Sequence, residues 1–287
     1  MAFIEYMQEP ELRSPILVAA FGGWNDAADA ATTTLKFLID RWKPLRFAQI
    51  DGEEFVLFTE TRPTIQFTKG ALRKLTWPGG RFFAYTDPQR DHDIVLYLGP
   101  EPSLKWKTFT HEFLEVCKHL HISEVLLVGA FLANIPHSIT VPISGFAAHP
   151  ELVARLSELD VRDSRYEGPT GILGVLQDAF NQADIPSASI WAAAPHYLAA
   201  TPNIKVTAAL LTYVNTFLGI DLDLHDIQSD AVRFDEQITL LVERDPEASA
   251  YVRKLEEQVR ADDEDEDEDE DELDENDMVI HPDRARS

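Results

Sequence analysis

The chain has 287 residues, 45% of them apolar, enough to bury a sizeable core without the help of disulfides or structural metals. Its single cysteine, Cys117, excludes an intramolecular disulfide and a thiolate metal cluster within one chain. A formal net charge of −25 argues against nucleic-acid binding, which calls for a basic stripe.

The first residues hold no basic segment followed by an apolar one, and no apolar run approaches the roughly 18 residues of a membrane span. The expected location is therefore cytoplasmic. Ile16–Phe21 is a short apolar run ending in Gly22-Gly23, which predicts a buried strand entering a tight turn. Asn25 or Asp26 can cap a helix reaching about Arg41, with Ala28, Ala31, Leu35 and Leu38 on one face. Strand candidates follow at Leu45–Asp51, Thr64–Phe67, Arg81–Thr86 and Asp93–Leu98, then a helix from about Leu104 to His119 with Trp106, Phe109 and Phe113 on its buried side. Cys117 lies in that helix and reads as a small packing residue. Glu124–Gly129 and Ser187–Ala193 are continuously apolar, as strands of a parallel sheet covered on both faces would be. Helices are expected at Pro150–Leu159, about Gly171–Ala183, Ile204–Leu218, Asp223–Arg244 and Pro246–Arg260. Between Asp262 and Asp277 only Leu273 and Asn276 are not acidic, so residues from Ala261 onward are expected to be a disordered acidic tail.

In an open parallel sheet, ligands and partners sit outside the carboxyl ends of the strands. The loops after the three best strands would then share one edge. They carry Trp24, Asn25 and Asp26, then Asn134 and His137 within Ala130–His137, then His196 and Tyr197 within Ala194–Tyr197. A fourth segment, Tyr166-Glu167-Gly168-Pro169-Thr170-Gly171, precedes a helix and offers Thr170 as a capping hydroxyl. Each feature has a plainer explanation. Asn25 and Asp26 suit helix caps. The glycine pair has neither the dinucleotide fingerprint nor a phosphate-loop lysine. His137 and His196 both follow proline in what can be rigid turns, and two imidazoles make a poor metal site without a carboxylate. Glu167 can be a general base beside a histidine or simply an anchor for its own loop. No cofactor, no metal and no catalytic set is therefore assigned.

Four stretches around these loops, AFGGWNDAADAA (20–31), VGAFLANIPHSITVPISG (128–145), YEGPTGILGVLQDA (166–179) and IWAAAPHYLAATPNIKVTAALL (190–211), resemble bacterial members of the PAC2 family, the proteasome-assembly-chaperone-like proteins. The likeness keeps the order and spacing of all four blocks, and PEASAYVRKLEE (246–257) resembles the C-terminal helix of these relatives. The resemblance implies a layered α/β/α fold on a mostly parallel sheet, phosphorylase- or hydrolase-like. It also implies a homo-oligomer such as a trimer. Eukaryotic and archaeal relatives are chaperones that guide assembly of the proteasome α-ring, so the implied role is non-catalytic, in protein assembly or interaction. Some proteasome-binding factors dock through a terminal hydrophobic–tyrosine–any motif, and Ala285-Arg286-Ser287 departs from it.

The expected organisation is a PAC2-like α/β domain over residues 1–220, a helical extension over 221–260 and the acidic tail over 261–287. The alternative function is an enzyme or binder of a nucleoside-like or phosphorylated small molecule at the C-terminal edge of the sheet, using Asn134, His137, Glu167 and His196. No nucleic-acid or membrane partner is expected.

Overall fold

The computed structural model describes residues 3–67, 73–164, 166–200 and 202–277, with residues 262–277 described by their backbone. The chain divides into two compact units. One comprises the residues up to Ala133 together with Val141–Phe234; the other comprises Asn134–Thr140 together with the residues from Asp235 on.

The first unit is built on one large sheet. Its strands are β1 (Ile4–Tyr6), β2 (Ile16–Gly22), β3 (Leu45–Asp51), β6 (Gly79–Tyr85), β7 (Ile94–Pro100), β8 (Glu124–Ala133), β9 (Ile143–Ala147), β10 (Arg162–Asp163) and β11 (Ser187–Pro195). A separate two-stranded ribbon pairs β4 (Thr64–Phe67) with β5 (Arg73–Thr76). The sheet order is β1-β3-β6-β7-β2-β8-β11-β9-β10. Its centre, β7-β2-β8-β11, is parallel throughout, and antiparallel pairs β6-β7 and β9-β11 border it.

Alternate residues of the central strands feed two cores. Ile16, Val18 and Ala20 point to one face, where α1 (Ala30–Trp42), α3 (Pro150–Glu158), α5 (Ile204–Phe217) and the start of α6 (His225–Arg244) cover them. Leu17, Ala19 and Phe21 point to the other, under α2 (Trp106–His119) and α4 (Ile172–Gln182). Both faces are thus dry, which is why these strands carry unbroken apolar runs. Phe113 is the hub of the second core, its ring within 4.8–6.3 Å of those of Tyr97, Phe82, Phe21, Phe109 and Phe180. Cys117 lies in the same layer, fully buried, and burial raises its thiol pKa, so it packs and does not react.

In the second unit, α7 (Pro246–Asp277) buries Val252 and Leu255. The pairs His137–Thr239 and Ser138–Glu256 join the Asn134–Thr140 segment to the helices. The division between the two units falls inside α6, after Phe234, and groups Asn134–Thr140 with the residues from Asp235 on. Helix α7 ends at Asp277; of the acidic tail expected from Ala261, residues 278–287 lie outside the described residues. Among the described residues no helix is long and apolar enough to cross a membrane.

Candidate functional site at the edge of the sheet

The carboxyl ends of β2, β8 and β11 lie side by side. Ala20 is level with Val128, and Ala193 is level with Phe131. The shared edge expected from the sequence is therefore present in the first unit. Two segments expected to be loop are strand: Ala130–Ala133 extend β8, and Ala194-Pro195 extend β11 opposite Leu132 and Ala133. The cause lies at Gly129, the expected strand end. A Cβ there would come within 2.5 Å of the Trp191 ring, so the glycine lets the indole lie against β8 and the pairing continues past it.

The loop after β2 is anchored from every side. The Asn25 carbonyl accepts from the Ala130 amide at 2.9 Å, and its buried side-chain amide donates to Glu101 Oε1 at 2.7 Å. The same Glu101 oxygen accepts from the Ile172 amide at 2.8 Å, the first free N–H of α4. One carboxylate thus ties the ends of β2 and β7 to the start of α4. Gly171 is required there, because a Cβ would fall 2.1 Å from Asn25 Oδ1. The cap of α4 is consequently Glu101 and not Thr170, whose hydroxyl instead donates to the Gly171 carbonyl at 3.4 Å. Thr170 is therefore not the capping hydroxyl expected from the sequence: it precedes the N-cap residue Gly171, and the Ile172 amide is taken by Glu101.

Asp26 does cap its helix, though from further off than expected. A turn over Ala27–Asp29 delays α1 to Ala30, and Ala28 and Asp29 hold left-handed backbone with φ of 52° and 55°. Such residues cost of order 1–3 kcal/mol each unless the surroundings fix them. Here Asp26 accepts from the Thr32 amide at 3.0 Å and the Thr32 hydroxyl at 2.6 Å, while the Ala28 carbonyl accepts from the Asn203 amide at 3.1 Å. Burial pushes the Asp26 carboxyl above its ordinary range despite these bonds from Thr32.

The sign of the resulting pH dependence follows. A raised folded-state pKa penalises the ionised native form, so the contribution of Asp26 to stability falls as pH rises from about 4, the unfolded value. Asp26→Asn is expected to gain stability relative to the parent between pH 4 and 7 in urea unfolding, and to abolish that part of the pH slope. Asp26→Ala, which loses the cap, is expected to cost about 1–2 kcal/mol at both pH values.

Trp24, Tyr166 and Glu167 are exposed, and the Tyr166 hydroxyl donates to the Pro169 carbonyl at 3.0 Å. His196 and Tyr197 form the turn after β11, with ring centroids 5.7 Å apart. Asn134 and His137 belong to the second unit. There Asn134 is exposed and His137 is buried, its Nε2 3.1 Å from Thr239 Oγ1. Glu101 is the residue that sequence reasoning missed. Both Asp26 oxygens are engaged by Thr32, and Glu101 Oε1 already serves two donors. These hydrogen bonds fix the backbone of the loop after β2. Among the described residues no group of three or more His, Cys, Asp or Glu can hold a metal ion.

The PAC2 family model matches residues 20–242. The chain is similar to a PAC2 family protein from Streptomyces avermitilis, at 38% identity and a TM-score of 0.75 over 83% of this chain and 99% of that one. It is also similar to the Mycobacterium tuberculosis proteasome-assembly chaperone homologue, at 40% identity and a TM-score of 0.73 over the same shares of the two chains. With PbaB of Pyrococcus furiosus, an archaeal proteasome activator, it shares the fold alone: 16% identity, a TM-score of 0.66, and 83% and 97% of the two chains. Comparison with curated proteins gives no match. On the family match and these two bacterial likenesses, the chain is a member of the PAC2 family.

Proposed function

We propose that this chain acts without catalysis in protein assembly, in the manner of a proteasome-assembly chaperone, and that the edge at β2 and β8 is where it docks its partner. The observation that carries this reading is the apolar character of that edge. Trp24 is 62% exposed, Leu132 49%, Phe131 40% and Tyr166 66%. Phe131 and Leu132 stand opposite Ala193 and Ala194, whose small side chains do not cover them. Large aromatics held on a rigid frame are the side chains that anchor protein interfaces. The network of Asn25, Glu101, Asp26 and Thr32 fixes the backbone beneath them, which lowers the ordering cost of association. The 40% identity to a proteasome-assembly chaperone homologue supports a proteasome-related partner; we take it to be the α-type subunits, as the family resemblance implies. We further take the chain to work as a homo-oligomer in the cytoplasm; its single cysteine suits a reducing compartment.

The test is co-elution of the chain with α-type proteasome subunits of its own organism. A complex is expected with the parent and a loss of at least tenfold in affinity with Trp24→Ala/Phe131→Ser, whose far-UV circular dichroism should be unchanged. No complex with the parent would overturn the proteasome reading. A thermal-shift panel of nucleosides, nucleotides and phosphate addresses the small-molecule alternative, because ligand at 100 times Kd stabilises by about 2.7 kcal/mol.

A further inference from the structure

A cleft of about 1030 Å³ opens in the first unit between β3, β6 and the β4–β5 ribbon. Five cations line it: Lys36, Arg46, Arg62, Lys74 and Arg81. Only Asp51 and Glu53 oppose them, in a chain whose net charge is −25. Arg46 is hydrogen-bonded to the neutral Gln49 and Lys36 to the Thr32 hydroxyl, so neither is neutralised. Arg81 is brought toward Arg46 by the pairing of β3 with β6, and burial and then that like charge lower its pKa. Positive charge is concentrated here against the sense of the whole molecule.

The cleft is also apolar in part. Phe58 and Trp77 meet inside it with ring centroids 5.0 Å apart. Beside it the ribbon leaves Ile65, Phe67 and Leu75 exposed. A lone two-stranded ribbon is marginal in water, and one with such side chains uncovered is suited to being covered. The fitting ligand is therefore a polypeptide that is acidic along most of its length and apolar at one end. The chain itself carries such a segment: 14 carboxylates between Asp262 and Asp277, followed directly by Met278-Val279-Ile280.

We propose that this cleft binds the acidic segment 262–280 of a second copy of the chain. The two patches differ, so the contact is heterologous, and it links copies head to tail. Because the attraction is between exposed charges, it is sensitive to salt. The cleft meets the docking-edge network only where Lys36 bonds Thr32, and the substitutions tested below change no residue of that edge.

The experiment is sedimentation of the full chain at 50 and 500 mM salt, with a labelled 262–280 peptide titrated into it. The expected result is a larger mass at low salt, lowered by excess free peptide. Arg46→Glu/Arg81→Glu should weaken peptide binding at least tenfold and give the high-salt mass at both salt concentrations. Should that variant not fold, Arg62→Glu/Lys74→Glu, at two exposed positions, makes the same prediction. A mass independent of salt would overturn the second-copy contact. Peptide binding indifferent to both charge reversals, or binding of tripolyphosphate without binding of the peptide, would overturn the cleft as an acidic-polypeptide site.

Discussion

Glu101→Ala is expected to destabilise the protein by about 2–3 kcal/mol, and Glu101→Gln by less than half of that. The carboxylate accepts from the buried Asn25 amide and from the Ile172 amide at the start of α4. Hydrogen bonds to charged acceptors are each worth about 1.5–3 kcal/mol, and losing the acceptor leaves the Asn25 donor stranded away from water. Glutamine keeps an acceptor oxygen and forfeits only its charge. Urea unfolding at neutral pH checks the magnitude. The same substitution should weaken partner binding more than its stability loss explains, since Trp24 sits on the loop that Asn25 pins. An equal loss for alanine and glutamine would mean that the charge, and not the acceptor geometry, does the holding.

Phe113→Ala is expected to cost about 3–5 kcal/mol, the largest loss foreseen for a single side chain. Five aromatic rings meet Phe113, which is fully buried on the inner face of α2. Removing it opens a cavity that these neighbours, themselves buried, cannot collapse to fill. Phe113→Leu should lose distinctly less. Both are read from denaturant midpoints at unchanged slope. Because this core lies beneath β2 and β8, the alanine variant should unfold before it loses its partner selectively, unlike Trp24→Ala/Phe131→Ser.

Much of the layered frame was legible because its strands are buried on both faces. β2 and β7 begin within a residue of where the sequence puts them, and β8 and β11 are apolar enough to be unmistakable. What escaped had weak local signals. β10 has two residues, and β1 and β5 are short and largely exposed, so no run of apolar residues marks them. The antiparallel edges were hidden because strand direction is set by which elements pair, not by any one segment's composition. Gly129 read as a strand end because its partner, Trp191, lies 62 residues away.

The edge itself was partly legible. Three apolar strands in an α/β chain predict adjacent carboxyl ends, and Trp24, Asn25, Asp26, His196 and Tyr197 follow from that. Glu101 did not, since its partners are 76 and 71 residues distant and it stands behind Gly99-Pro100, which reads as a mere stop. Its position just past a strand end at the shared edge was the available signal. Nor does anything in the sequence group Asn134–Thr140 with Asp235 onward; that association rests on long-range pairs such as His137–Thr239.

The most direct test of the docking edge is oxidative side-chain footprinting of the full chain, alone and with α-type proteasome subunits bound. The account predicts that Trp24, Phe131 and Tyr166 lose reactivity in the complex, while Trp77 in the cleft keeps its own. Unchanged reactivity at Trp24 and Phe131, with protection confined to other surfaces, would contradict it.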